Sequence, residues 1–330
     1  MQDLSSMRGR PKSREVTSEM AKKFIKGILI HIGTNLWYEV GNNRGGGEKV
    51  WQRAGSDKMR FEKDLFWELV DHAKACGINT VVLDLADGIV YESHPELAIE
   101  GSIEREELME MIKRLRELGL DIIPKLNFST CHDVWLKDYS RMVSTKPYYD
   151  VCRDIINEVC DVFEPEIIHL GMDEENYENQ SKYDCAVVRQ NDLWWHDLRF
   201  LVDVVESRGA NAMIWSDYAR HRPDEFTKKC PKSVVQCPWY YFNKFEGDLT
   251  EGERIRVEPF LRLADAGYTI IAGGSNEYFK ENVSLLDEFC RKRLPQDCYT
   301  GIIQTTWVAT TEKWRAPLFE AVELMKNIGK

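Results

Sequence analysis

The sequence predicts a single (β/α)8 barrel, and three observations carry that prediction. Eight short runs of β-branched and apolar residues alternate with amphipathic segments, nearly every run ends in polar or aromatic residues, and 330 residues is an ordinary length for one barrel. An open doubly wound sheet shares the alternation but gathers its polar groups at one switch point, whereas here they recur strand after strand.

Residues 1–23 combine Ser, Arg, Lys and Pro with weak periodicity and are expected to form a flexible N-terminal arm, leaving 24–330 for the barrel. The first strand is expected over 25–32 and ends at Gly33. A loop over 38–57, with glycines at 45, 46 and 47 and a tryptophan at 51, is long for a compact domain and reads either as a functional loop, such as a lid, or as a disordered segment. Phe61, Leu65, Leu69 and Ala73 recur at helical spacing and give a helix over 58–75, closed by Gly77. A second strand follows over 80–85, broken by Ala86, Asp87 and Gly88. Leu108, Met111, Ile112 and Leu115 share one face of a helix over 104–118, and a third strand covers 121–127. The pattern then repeats: a helix over 146–163, a strand over 166–171, a helix over 187–207 and a strand over 211–217. After only a short helix over 223–229 come strands over 233–239, 268–273 and 300–307, with helices over 253–265, 281–293 and 312–327.

With 43% hydrophobic and 30% charged residues the chain has ample material for a core. No run approaches the roughly 18 apolar residues of a membrane span. A formal charge of −11 disfavours nucleic acid, whose binders use basic surfaces that release counterions. Neither membrane nor nucleic acid is an expected partner. Nine cysteines lie scattered, without the close pairs of a zinc or redox motif, and read as reduced core residues. The polar N-terminus has no apolar signal core, so a cytoplasmic location is expected, although a signal already removed would leave the same N-terminus.

The chemistry centres on residues 166–175, Glu-Ile-Ile-His-Leu-Gly-Met-Asp-Glu-Glu. Ile167, Ile168 and Leu170 have the character of a strand shielded on both faces, and Gly171 lets the backbone leave the sheet. Asp173 and Glu174 then stand just past the strand's carboxyl end, where barrels collect catalytic groups. The same acids could instead cap the next helix. Reading the other strand ends adds His31, Trp37, Asp84, Asp87, Lys125, Asn127, His169, Trp215 and Asp217. The later strands add Gln236, Trp239, Tyr240, Ser275, Asn276, Gln304 and Trp307. Barrel interiors are normally filled by branched apolar side chains, so this polarity at one end points to a site or to an internal hydrogen-bonded network. Four tryptophans, at 37, 215, 239 and 307, offer flat apolar faces among paired donors and acceptors. Sugar rings, with C–H faces and hydroxyl rims, match that combination, so the expected partner is a carbohydrate.

At 169–174, His-Leu-Gly-Met-Asp-Glu, the chain resembles the family 20 glycoside hydrolases, the β-N-acetylhexosaminidases, whose fourth strand carries a His-x-Gly-Gly-Asp-Glu motif. Residues 124–127, Pro-Lys-Leu-Asn, followed by His132 and Trp135, are similar to that family's third-strand Pro-Glu-Ile-Asp segment and its following histidine. Trp215 with Asp217, Trp239, and Gln304 followed by Trp307 resemble aromatic positions lining the family's pocket. The resemblance implies an exo-acting, retaining glycosidase acting on a β-linked N-acetylhexosamine or related sugar. In that scheme Asp173 orients the substrate's 2-acetamido group, whose carbonyl attacks the anomeric carbon, and Glu174 protonates the leaving oxygen. His31, Asn127, His132, His169, Trp215, Asp217, Trp239, Tyr240, Gln304 and Trp307 are the residues expected to bind or support the sugar. No metal or cofactor is expected. The acid would need a pKa raised from about 4.3 toward 6 or 7, which burial among tryptophans would promote.

Several positions depart from the family pattern. Met172 replaces the second glycine, Asn127 the third-strand aspartate, and no arginine stands after the first strand where that family clamps sugar hydroxyls. Gly273, Gly274, Ser275 and Asn276 stand in place of a Tyr-x-Asp, and Ala309 where a sugar-binding glutamate follows the last tryptophan. The pair of acids is intact, in a divergent pocket. Three other readings compete. One is a catalytically silent sugar-binding barrel. Another is a metal-dependent isomerase or hydrolase using His31, Asp84, His169 and an acid, which no His-x-His or His-Glu-x-x-His cluster supports. A Schiff-base lysine at Lys125 is the last, against which the nearby acids favour a salt-bridged lysine.

Overall fold

Eight parallel strands close into a barrel in chain order in the computed structural model. They are β1 (Ile25–His31), β2 (Thr80–Asp84), β3 (Asp121–Lys125), β4 (Ile167–His169), β5 (Asn211–Trp215), β6 (Val235–Cys237), β7 (Ile270–Ser275) and β8 (Tyr299–Thr305). The structure describes residues 23–39, 55–181, 183–189 and 191–329. The arm expected over 1–23, apart from Lys23, and most of the loop expected over 38–57 lie outside the described residues.

The helices around the strands are α1 (Lys63–Ala75), α2 (Arg105–Glu117), α3 (Lys146–Phe163), α4 (Tyr177–Gln180) and α5 (Asp192–Ser207). They continue with α6 (Tyr218–His221), α7 (Pro223–Lys229), α8 (Glu251–Asp265), α9 (Asn282–Arg293) and α10 (Arg315–Leu324). Local chemistry explains several boundaries. A Thr250–Glu253 capping box starts α8, satisfying two backbone donors reciprocally. The first helix begins at Lys63 rather than 58 because the preceding backbone is already paired: Met59 N donates to Glu100 O at 2.9 Å and Glu62 N to Thr310 O at 2.8 Å. A segment committed to such bridges cannot also make helical bonds. The helix expected over 187–207 starts only at Asp192, because Arg189 turns into the core instead.

Side-chain alternation along the strands divides the core in two. Leu29, Val82, Ile123, Ile167, Met213, Val235, Ile271 and Ile303 fill the barrel interior, while residues of opposite parity such as Ile28, Val81 and Ile302 pack beneath the helices. Two residues further along four adjacent strands stand His31, Asp84, Lys125 and His169, paired in register from β1 to β4. On β5 Met213 stands opposite His169, and Trp215, paired with Cys237 of β6, occupies the next inward position. The inward layer at the carboxyl end of the barrel is thus charged on one side and aromatic on the other. Parity also corrects one expectation: Gln304 shares the face of Ile302, and its amide donates to Asn276 Oδ1 at 3.0 Å in the outer layer. Among the described residues no helix is long and apolar enough to cross a membrane.

Candidate active site

Past His169 the chain needs a sharp exit, and it makes one with left-handed backbone at Gly171 (φ 75°), Met172 (φ 70°) and Glu174 (φ 55°). Gly171 is required twice over. Its φ favours glycine, and a Cβ there would lie 2.0 Å from Asn127 Oδ1. Met172 adopts a conformation that glycine would adopt without strain. It is held by burial and by the Arg189 guanidinium, whose Nη2 lies 3.2 Å from the Met172 sulfur. Arg189 also grips Glu175 through Nε at 3.1 Å and Nη2 at 2.7 Å, and Asp197 through Nη1 at 2.9 Å. The third acid of the run is therefore locked in a buried ion pair behind the loop, leaving Asp173 and Glu174 to face outward.

Those two converge on one imidazole. His132 Nε2 lies 3.4 Å from Asp173 Oδ2 and 3.2 Å from Glu174 Oε2, while Asn127 Nδ2 donates to Asp173 Oδ1 at 3.0 Å. Asp173 is buried, whereas the Glu174 side chain is 38% exposed. Burial alone would lower the His132 pKa, but the Asp173 and Glu174 carboxylates raise it above its ordinary value. Burial pushes the Asp173 carboxyl upward against the pull of His132, and the Glu174 charge adds to the rise. The Ser129 hydroxyl donates to the Asp173 carbonyl, so both ends of that residue are fixed.

The acids open on a cavity of about 380 Å³. Its walls include Trp37, Trp215, Trp239 and Trp307, with Trp307 at the centre: ring centroids lie 5.5 Å from Trp37 and 5.9 Å from Trp215. Trp307 Nε1 donates to the Tyr241 hydroxyl at 3.1 Å, and Tyr241 stacks on Trp239 at 4.8 Å. Of the residues singled out from sequence, Trp37, Lys125, Asn127, His132, Asp173, Glu174, Trp215, Trp239, Tyr240 and Trp307 line this space. His31, His169, Asp217 and Gln304 do not line it.

The positions of those four are physically informative. His31 and Asp84 form one contact, Nδ1 to Oδ2 at 3.1 Å, and Lys125 donates to the same Asp84 oxygen at 2.9 Å. Both members of the Lys125–Asp84 pair are fully buried, so the lysine is salt-bridged. Asp84 is pushed up by burial but held below the usual carboxylate range by Lys125 and His31. His169 accepts from the Gly171 amide through Nδ1 at 3.0 Å and packs 4.4 Å from Trp215. Burial and the Lys125 charge drive its pKa well below the ordinary value, so it is a neutral brace for the turn that carries the acids. Asp217 accepts from Trp239 Nε1 at 3.0 Å and pairs with Arg220 at 3.0 Å, whose guanidinium lies 3.8 Å above the same indole. Burial raises Asp217 to about 6 despite Arg220. It holds an aromatic wall in place.

Sequence reasoning missed Tyr241 and Arg189. Tyr241 adjoined Tyr240 in the strand-end reading, but nothing local showed that it would meet Trp307, a residue 66 positions away. Arg189 lies 14 positions beyond Glu175, in a stretch read as helix. The ligand set of the metal-dependent reading does not gather. Among the described residues, the groups of three whose ligand atoms lie within 4.8 Å of one another are His132, Asp173 and Glu174, and His72, Cys76 and Glu323. The first is the acid site itself, and its donor set is one that a divalent cation could occupy.

The description "Glycosyl hydrolase family 20, catalytic domain" matches residues 89–253, half of the chain. No curated protein matches the sequence. Among solved structures the fold is similar to the β-N-acetylhexosaminidase of Bacteroides fragilis NCTC 9343, with a TM-score of 0.63 at 15% identity, covering 92% of this chain and 65% of that one. The family 20 β-N-acetylhexosaminidase of Streptomyces coelicolor A3(2) gives 0.60 at 12% identity, over 90% and 63%. The exo β-N-acetylglucosaminidase of Vibrio harveyi, in complex with N-acetylglucosamine, gives 0.60 at 14%, over 92% and 54%. The chain spans less than two thirds of the length of each.

Proposed function

This chain belongs to glycosyl hydrolase family 20, and we propose that it is an exo-acting glycosidase that removes a β-linked N-acetylhexosamine or a related sugar with retention of configuration. The observation that carries the reading is the His132 imidazole set between Asp173 and Glu174 at the mouth of a cavity walled by tryptophans. The two carboxylates differ in setting, one buried and bonded, one open to the cavity, and that asymmetry suits two roles.

Asp173, fixed by Asn127, would accept the N–H of a 2-acetamido group and aim its carbonyl oxygen at the anomeric carbon. As the new C–O bond forms, the glycosidic C–O bond breaks and the Glu174 proton passes to the departing oxygen. This leaves a cyclic oxazolinium whose N–H charge Asp173 offsets. Glu174, now a carboxylate, takes a proton from the water that opens the ring and returns the β-anomer. His132, 3.2 Å from Glu174 Oε2, is placed to share that proton between turnovers. The tryptophan walls would cover the apolar C–H faces of the ring.

The testing experiment compares aryl β-glycosides with and without the 2-acetamido group. Hydrolysis of the acetamido substrates is expected to exceed that of the matching glucoside by roughly 10²-fold or more, the advantage of a positioned intramolecular nucleophile. Binding of the acetamido sugar without any turnover would favour the silent barrel, and equal rates on both would remove the acetamido from the mechanism.

A further inference from the structure

We propose that His72, Cys76 and Glu323 form a binding site for a zinc-class divalent transition-metal ion that staples the first helix of the barrel to the last. His72 and Cys76 lie one turn apart at the carboxyl end of α1, and Glu323 lies near the end of α10. The two helices pack on each other on the side of the barrel where β8 closes against β1. An ion held by all three would therefore tie α10 to α1 beside the seam that closes the barrel. This site is separate from the cavity and from the acids that open on it.

The three ligand atoms lie within 4.8 Å of one another, close to the spacing of a metal centre. His72 Nε2 lies 2.6 Å from Glu323 Oε1, and the Cys76 sulfur lies 3.8 Å from that nitrogen and 3.9 Å from that oxygen. Tetrahedral zinc with ordinary bond lengths requires ligand separations of about 3.4–3.6 Å. Two of the three edges need to close by a few tenths of an ångström. The third opens when the His72–Glu323 contact is replaced by two bonds to the ion. The imidazole is already oriented, because it stacks on Phe319 at 5.1 Å with a 28° tilt. Cys76 is buried and Glu323 exposed, so the ion would sit at the surface with solvent supplying the fourth ligand.

One sulfur, one imidazole nitrogen and one carboxylate oxygen form a donor set for zinc or cobalt rather than for magnesium or calcium, which take oxygen ligands. Binding releases the thiol proton and any proton on Nε2 to water, with no change of oxidation state. Two ammonium groups stand close by and oppose a dication. Lys326 Nζ lies 2.5 Å from the other Glu323 oxygen, and Lys26 Nζ lies 3.3 Å from the Cys76 carbonyl oxygen. The thiolate and carboxylate together offset them.

Cobalt(II) added to the metal-free full-length protein tests the assignment, because a cobalt–thiolate bond gives near-ultraviolet charge-transfer absorption that nitrogen and oxygen ligands do not. The expected result is such a band in the wild type and in Cys185→Ser, which removes the exposed thiol, and its loss in Cys76→Ser. Zinc at about a hundredfold excess over its dissociation constant should raise Tm by about 4 °C, and Glu323→Gln and His72→Ala should abolish most of that rise. Glu323 is exposed, so its variant keeps the fold and isolates binding from stability. No band at millimolar cobalt would overturn the proposal. So would a band that survives Cys76→Ser, or a zinc-induced Tm rise that both other variants retain.

Discussion

Replacing Glu174 by Gln is expected to cut turnover by roughly 10²–10⁴-fold on substrates with poor leaving groups, the range attributed to general acid catalysis. The change keeps the shape of the side chain and removes the proton it would deliver. Its surroundings should survive, since the Glu174 side chain is 38% exposed and an amide can still meet His132 Nε2 across the same 3.2 Å. Aryl glycosides with good leaving groups should lose far less, because their departure needs little protonation. The informative quantity is the slope of log kcat/KM against leaving-group pKa, which should steepen in the variant. A loss of equal size on every substrate would assign Glu174 a role in binding, and full activity on all of them would make it only a loop residue.

Asp173→Asn should cost a similar amount, about 10²–10³-fold, with the opposite leaving-group behaviour. Asp173 is proposed to stabilise charge that develops on the acetamido nitrogen whatever the aglycone, so a good leaving group offers no rescue. The substitution also has a signature outside catalysis. The Asp173 charge is the largest of the influences raising the His132 pKa against burial, so its removal should lower that pKa. A His132 resonance titrating at lower pH in the variant than in the wild type would confirm the electrostatic link. An unchanged titration would mean that the 3.4 Å contact between them has no such consequence. Asn127 already donates to Oδ1, and an amide there can present its own oxygen to the same donor, so large-scale unfolding is not expected.

Much of the barrel was legible because strands and helices announce themselves locally. The short helix at Pro223–Lys229 and the long one at Lys146–Phe163 fall where proline and apolar spacing place them. What the sequence could not show was register. His31, Asp84, Lys125 and His169 form one layer only because four strands align, and pairing of that kind is set by contacts between segments about 40 to 50 positions apart. Gln304 illustrates the same point: reading strand ends without parity placed it at the pocket, one residue from the inward-facing position. Asp217 was legible as a polar strand end but not as the anchor of Trp239, which needs the geometry of the Arg220 cation over the same ring. The left-handed turn at Met172 was likewise invisible, since a methionine there gives no local sign of positive φ.

The most direct test of substrate-assisted chemistry is the rate of hydrolysis of aryl β-N-acylhexosaminides whose acetamido methyl is progressively fluorinated. Each fluorine draws electrons from the carbonyl oxygen proposed to attack the anomeric carbon while leaving the aglycone and the ring unchanged. If Asp173 aims that oxygen as the nucleophile, log kcat/KM falls steeply and monotonically across the series. A rate that stays flat across the series, with hydrolysis intact, would contradict the account and assign the attack to a group on the protein or to water.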